Sequence, residues 1–160
     1  METYKTYYKS PLGPIEIVGA QDNILFLGFV EDMLQGDAEL PFCSKTCLKQ
    51  IDEYFKWKRK EFLLNLEPLG TDFQKRVWQQ LRKISFGETA SYGDIAKAID
   101  NPNASRAVGN ANRINPICII IPCHRIIGSD GSLTGYGGGL WRKEWLLKHE
   151  SGYPLNNIIA

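Results

Sequence analysis

One thiol in this 160-residue chain stands in chemically active company. In the stretch INPICIIIPCHRIIGSDG, residues 114–131, an apolar run between Pro116 and Pro122 breaks onto Cys123, His124 and Arg125. A buried strand has no packing reason to end on a thiol, an imidazole and a guanidinium in succession. A thiol is a weak nucleophile until something lowers its pKa or takes its proton, and His124 is one of only two histidines. Neighbours on an extended chain point to opposite sides, so a turn or a bridging water is needed before His124 can serve Cys123. Glu150, in LLKHE, is placed to orient an imidazole as the acid of a triad does, with His149 beside it as a competitor for that role. An inert structural cysteine rarely keeps such company. Cys118, inside the apolar run, reads most simply as a core residue.

The second unusual stretch is Arg106-Ala-Val-Gly-Asn-Ala-Asn-Arg113. Ala107, Asn110 and Ala111 fall on one helical face at i, i+3 and i+4. A helix with so little side-chain bulk can lie close to another surface. Gly109 in its middle costs about 1 kcal/mol relative to Ala, so something requires the missing side chain. Arg106 and Arg113 bracket the segment with positive charge. Close helix packing and approach to a nucleic acid explain these residues equally well. The helix-turn-helix rhythm around them and the local surplus of positive charge favour nucleic acid.

These residues need elements to position them. TDFQKRVWQQLRKI opens with Thr71 as N-cap and Gln74 completing a capping box, and Phe73, Val77, Trp78, Leu81 and Ile84 form its apolar stripe. A second helix is expected from about Tyr92 to Ile99 and a third, short one from Ser105 to Arg113, separated by the turn DNPNA. LWRKEWLLKHE reads as a last helix with Trp141, Trp145 and Leu146 or Leu147 facing the core. Upstream, residues 3–30 alternate and then run apolar, punctuated at Pro11–Pro14 and at GAQDN, which predicts a small antiparallel sheet of two or three strands. A helix is expected over about 44–57 from Leu48, Ile51, Tyr54 and Phe55. FLLNLEPLG then closes a first domain as a short apolar segment. The domains are therefore read as 1–69, α/β and bracing its neighbour, and 70–160, mainly helical.

Bulk properties narrow the class. The net charge is +1, with 8 Lys and Arg against 11 Asp and Glu in residues 1–69 and 11 against 7 in residues 70–160. An anionic partner would meet the second half. No signal peptide stands out, and no apolar run approaches the ~18 residues of a membrane span, so a cytoplasmic protein is expected. Cys43 and Cys47, one helical turn apart, fall short of the four ligands of a structural zinc site. They read as two small, partly buried residues, and no metal is expected.

Taken together, RAVGNANRINP, IPCHRII and GYGGGLWRKEWLLKHE, in this order and spacing from about Thr71 to Ser151, resemble the O6-alkylguanine-DNA alkyltransferase family. The resemblance implies a ribonuclease-H-like N-terminal domain and a winged-helix-like C-terminal domain containing a helix-turn-helix. It implies repair by irreversible transfer of an alkyl group from guanine O6, with thymine O4 as a second donor, in double-stranded DNA to Cys123. His124 would act as general base through a water and Glu150 would hold the imidazole. Asn115 would tie the acceptor turn to the helix-turn-helix. Tyr92 would press on the flipped nucleotide's phosphate and donate a proton to the departing guanine. Arg106 would fill the vacated base stack, with Ala107, Gly109, Ala111 and Arg113 at the minor groove. Tyr136, Gly137 and Ile126 would wall the pocket. Thr134 could narrow that pocket, and Cys118 could be alkylated in a side reaction. A single-turnover monomer with no cofactor is expected, nucleoid-associated or nuclear according to the organism. A Cys-His hydrolase is disfavoured by the adjacency of the two residues. A DNA-binding sensor or regulator is disfavoured by the nucleophile itself.

Overall fold

The computed structural model describes residues 1–152. The chain divides into two compact units, Met1–Leu69 and a second beginning at Gly70.

The first unit is a three-stranded antiparallel sheet in the order β1 (Tyr4–Ser10), β2 (Gly13–Gly19), β3 (Ile24–Phe29). Alternation along β2 buries Ile15 and Ile17 on one face. The β1–β2 connection is the two-residue loop Pro11–Leu12. Ser10 Oγ donates to the Gly13 carbonyl at 2.6 Å and accepts the Leu12 N–H at 3.0 Å. Gly13 sits at φ +106°, where a Cβ would clash with the backbone. Helix α1 (Phe42–Phe55) buries Cys47, Ile51 and Tyr54. It begins after Pro41 and ends two residues before the expected Trp57, which is left-handed at φ +58°.

FLLNLEPLG is not the apolar closing segment its composition suggests. Leu63 and Leu69 are each 75% exposed. The segment is held through its backbone: the Gln50 carboxamide accepts from Leu63 N–H at 2.9 Å and donates to Leu63 O at 3.3 Å, and Leu66 bridges to Ile24. Cys47 is wholly buried, which pushes its thiol up to about 12. The half-buried Cys43 donates to Ala20 O at 3.4 Å.

The second unit is mainly helical. Helix α2 (Asp72–Leu81) starts on a complete capping box, Thr71 N–H donating to Gln74 Oε1 at 2.9 Å and Gln74 N–H to Thr71 Oγ1 at 3.1 Å. Its buried face is Val77, Trp78 and Leu81, where each aliphatic side chain contributes about 1.5–3 kcal/mol. Ser91 and Asp94 form a second box at the start of α3 (Tyr92–Ala98). Strand β4 (Ala90–Ser91) pairs in parallel with β5 (Ile126–Ile127). Helix α4 (Ser105–Arg113) has the predicted bounds and is bound to α2 by Trp78 Nε1–H donating to Ala111 O at 2.9 Å.

Helix α5 (Leu140–Glu150) buries the expected Leu146 but not the expected Trp141. Trp141 is 57% exposed, stacked under the Arg142 guanidinium. The buried stripe is Lys143, Leu146, His149 and Glu150. Positions i, i+3, i+6 and i+7 are one face of a helix, but three of the four are ionisable types, so hydrophobicity alone finds only Leu146.

Candidate active site

The apolar run Ile117–Ile121 is not a strand. It folds on itself as a compact turn: Ile120 N–H donates to Cys118 O at 2.7 Å, Ile121 N–H to Ile117 O at 3.1 Å, and Cys123 N–H to Ile121 O at 2.7 Å. Ile119 is forced to φ +69°, a conformation costing of order 1–3 kcal/mol for a residue with a Cβ. Two features enforce it. Ile117, Ile119, Ile120 and Ile121 are all buried, and the buried Asn115 carboxamide spans the turn. Asn115 Nδ2–H donates to Ile121 O at 2.8 Å while Oδ1 accepts the Ile117 N–H at 3.0 Å. Asn112, from the last turn of α4, donates through Nδ2 to Cys123 O at 3.3 Å. Asn112 thus fastens the turn to α4, while Asn115 braces the turn from within.

Residues Cys123–Arg125 then form a single 3-10 turn. That turn is what lets consecutive side chains address different partners. His124 is fully buried, its Nε2 2.7 Å from Glu150 Oε2. Arg125 reaches the same carboxylate with Nε on Oε1 at 2.7 Å and a terminal nitrogen on Oε2 at 3.0 Å, and donates to Ile84 O at 2.6 Å. Burial would raise the Glu150 pKa, but the charge and hydrogen bonds of His124 and Arg125 outweigh it and hold the carboxyl well below the usual range. An ionised carboxylate can only accept. His124 Nε2 must therefore carry a proton, so that in the neutral imidazole the lone pair lies on Nδ1. Nδ1 is buried and has no hydrogen-bond partner among the described residues.

Cys123 itself is 3% exposed. The Cys118 side chain beside it does most to draw its thiol pKa down, helped by the Asn115 side chain and the Lys143 ammonium, against the opposing effect of burial. The reciprocal interaction pushes Cys118 well up. Lys143 has no exposed surface. Its Nζ donates to Thr134 O at 2.7 Å, and burial brings its pKa down to about 8 despite the attraction of Cys123.

Asn112, Arg125 and Lys143 are site residues to which sequence reasoning gave no role. Arg125 stands out beside Cys123 and His124, but nothing local points it at Glu150. Lys143 carried one signal only, its place on the stripe of Leu146 and Glu150. His149, the sequence competitor for Glu150's role, instead stacks on Trp145 with centroids 5.0 Å apart.

The structure brings Cys123, His124, Glu150 and Asn115 together and buries Ile126 and Tyr136 in the same unit. Tyr92 opens α3 with its hydroxyl 2.8 Å from Thr134 Oγ1. Gly137 lies so close to α4 that a Cβ there would stand 2.9 Å from Arg113 O. On α4, Arg106, Ala107, Asn110 and Arg113 are exposed and Gly109 half-buried. Ala111 is a correction: it is 2% exposed, packed inward with Val108 and Asn112. The i, i+3, i+4 face drawn from the sequence therefore does not present itself whole. The amphipathic split runs between Ala107 and Val108, because Val108 is the one bulky apolar residue of the helix and takes the core.

Residues 72–152 match the family model for the 6-O-methylguanine DNA methyltransferase DNA binding domain, and residues 3–68 that for the ribonuclease-like domain of the same proteins. The chain is 45% identical over 152 residues to a methylated-DNA–protein-cysteine methyltransferase of Methanosarcina acetivorans, covering 92% of this chain and 97% of that one. It is 44% identical over 153 residues to that of Mycobacterium leprae, covering 93% of each. Among solved structures, the Mycobacterium tuberculosis O6-methylguanine methyltransferase superposes with a TM-score of 0.85 at 40% identity over 99% of both chains. The Mycobacterium tuberculosis OGT in complex with DNA gives 0.82 at 44% identity over 92% of both.

Proposed function

The chain belongs to the 6-O-methylguanine DNA methyltransferase family, and on that premise we propose that it repairs DNA by moving an alkyl group from guanine O6 irreversibly onto its own Cys123. The observation that carries this assignment to particular atoms is the pairing of a buried thiol of lowered pKa with an imidazole whose Nε2 is held by Glu150 and whose Nδ1 makes no hydrogen bond among the described residues.

His124 Nδ1 takes the Cys123 proton through a water. The thiolate attacks the alkyl carbon, the carbon–O6 bond breaks, and its electron pair passes into guanine, which takes up a proton. Tyr92, at the start of α3, supplies that proton and presses on the nucleotide's phosphate. Asn115 fixes the turn so that the sulfur is aimed before the substrate arrives. Lys143 stabilises the negative sulfur from inside the unit. The product is a thioether, a leaving group too poor for the thiol to be regenerated, so each molecule acts once.

A guanine O6 in a duplex lies within the base stack, and an acceptor only 3% exposed has to be met by an extruded base. Helices α3 and α4 serve as the helix-turn-helix, with Ala107 and Gly109 allowing close approach to the minor groove, Arg106 entering the stack and Arg113 near the phosphates. Tyr136, Gly137 and Ile126 form the wall around the base. Residues 70–160 hold every group used, and the finer likeness of residues 1–69 to ribonuclease H is an expectation from the family.

The deciding experiment is intact mass after mixing with a duplex carrying one O6-methylguanine. A gain of one methyl per chain, mapped to Cys123 and saturating at one equivalent, is the expected result. Lesion binding without methyl gain would replace this reading with that of a sensor.

A further inference from the structure

Cys118 is a chemically active side chain that alkyl transfer does not consume. It sits five residues before the acceptor, yet the turn through the left-handed Ile119 brings the two side chains back together. Both sulfurs address the same residue. Cys118 Sγ donates to Asn115 O at 3.9 Å, and the side chains of Cys118 and Asn115 are the neighbours that draw the Cys123 thiol pKa down. Cys118 is half-buried and Cys123 is 3% exposed. Both cysteines are free thiols here.

We propose that Cys118 and Cys123 form a reversible intramolecular disulfide on reaction with a hydroperoxide, so that oxidation suspends the acceptor without destroying it. The inference rests on the proposed function only for its consequence, loss of alkyl acceptance. The Cys123 thiolate attacks one peroxide oxygen, the O–O bond breaks, and a sulfenic acid forms while the other oxygen leaves and is protonated. The Cys118 sulfur then attacks the sulfenic sulfur. The S–S bond forms, the S–O bond breaks, and hydroxide departs with the Cys118 proton as water. The sulfurs together lose two electrons and the peroxide gains them. A neighbouring resolving thiol is what diverts a sulfenic acid from further, irreversible oxidation. Cys123 is the attacking partner because its sulfur is the one that the surrounding groups favour as thiolate, and Cys118 is the resolving one.

The test uses tryptic peptide Ile114–Arg125, which contains both thiols and no Met or Trp, so any mass change falls on sulfur. Full-length protein is treated with hydrogen peroxide, quenched, alkylated and mapped, and its methyl acceptance measured before and after dithiothreitol. Wild type is expected to lose two hydrogens in this peptide and at least about tenfold of its acceptance, both restored by the reductant. Cys118→Ser and Cys118→Ala, each compared with its own reduced sample as a check of folding, are expected to gain two or three oxygens on Cys123 and not recover. Direct oxygen gain in wild type, or equal recovery in the variants, would overturn the proposal. So would a disulfide confined to Cys43 and Cys47, whose tryptic peptides are separated by cleavage at Lys45 and would appear crosslinked. A reduced wild type that never accepts methyl sinks the functional reading instead, while the loss of two hydrogens still decides the pairing.

Discussion

His124 and Glu150 lie 26 residues apart in sequence and 2.7 Å apart in space, and the bond between them is buried on both sides. The same carboxylate takes a forked pair of bonds from Arg125. One acidic residue at the end of α5 thus holds the Nε2 side of the imidazole and neutralises the guanidinium next to it.

Removing that carboxylate leaves a buried guanidinium without its counter-charge. Glu150→Gln is expected to cost about 3–5 kcal/mol in urea unfolding and to slow methyl transfer. The pH dependence follows in sign. A carboxyl whose folded-state pKa lies below its unfolded value, 4.5, stabilises above that value, and the contribution is lost as pH falls through the folded one. The gap between wild type and Glu150→Gln should therefore close progressively below pH 4.5.

His124→Gln removes the base while leaving Cys123 in its turn. Single-turnover rates of methyl transfer should fall by about 10²–10⁴, with lesion-DNA affinity little changed. An undiminished rate would show that another group takes the thiol proton.

Lys143→Met should trade activity for stability. The folded-state lysine pKa, about 8, lies below the unfolded 10.5. Unfolded chains therefore bind more protons between these values, and wild-type stability rises with pH across that window. Lys143→Met is expected to have the higher Tm at pH 7, with the advantage shrinking between pH 8 and 10.5. Without the ammonium the Cys123 thiol pKa rises, and each unit removes about tenfold of the thiolate at neutral pH. Iodoacetamide labelling of Cys123 against pH reads this directly.

Asn115→Ala strips the Ile117 N–H of its partner, while Ile121 O keeps the Cys123 N–H. One unpaired buried group costs about 1–3 kcal/mol, and a loss of that size in chemical denaturation is expected. Methyl transfer should fall further than stability alone predicts, because the strained Ile119 turn aims the sulfur.

Thr134→Ala breaks the hydroxyl pair with Tyr92 at an exposed position, and its effect on stability should stay within about 0.5 kcal/mol. If Thr134 narrows the pocket, the rate with an O6-benzyl adduct should rise relative to O6-methyl. An unchanged ratio would remove Thr134 from the pocket.

Local signals were legible where local physics decides the outcome. The capping box at Thr71, the bounds of α4, the hairpin punctuation around Gly13 and the isolation of Cys123 beside His124 all rest on interactions within a few residues, which the order of side chains specifies by itself. The choice of Glu150 as the imidazole's partner, and the family, also came from sequence. Other features depended on which surfaces meet. Ile117–Ile121 has the composition of a strand, but Asn115 and the packing of four isoleucines bend it into a turn, and that turn sets Cys118 against Cys123. Trp141 is apolar enough for a core yet lies outside, while Lys143 is charged and lies within. The face of α5 is fixed by what His124, Arg125 and Cys123 require opposite them, and hydrophobicity has no term for that requirement. Sequence determined the chemistry and its cast; tertiary structure decided the electrostatic surroundings of the sulfur, because those are built from residues distant along the chain.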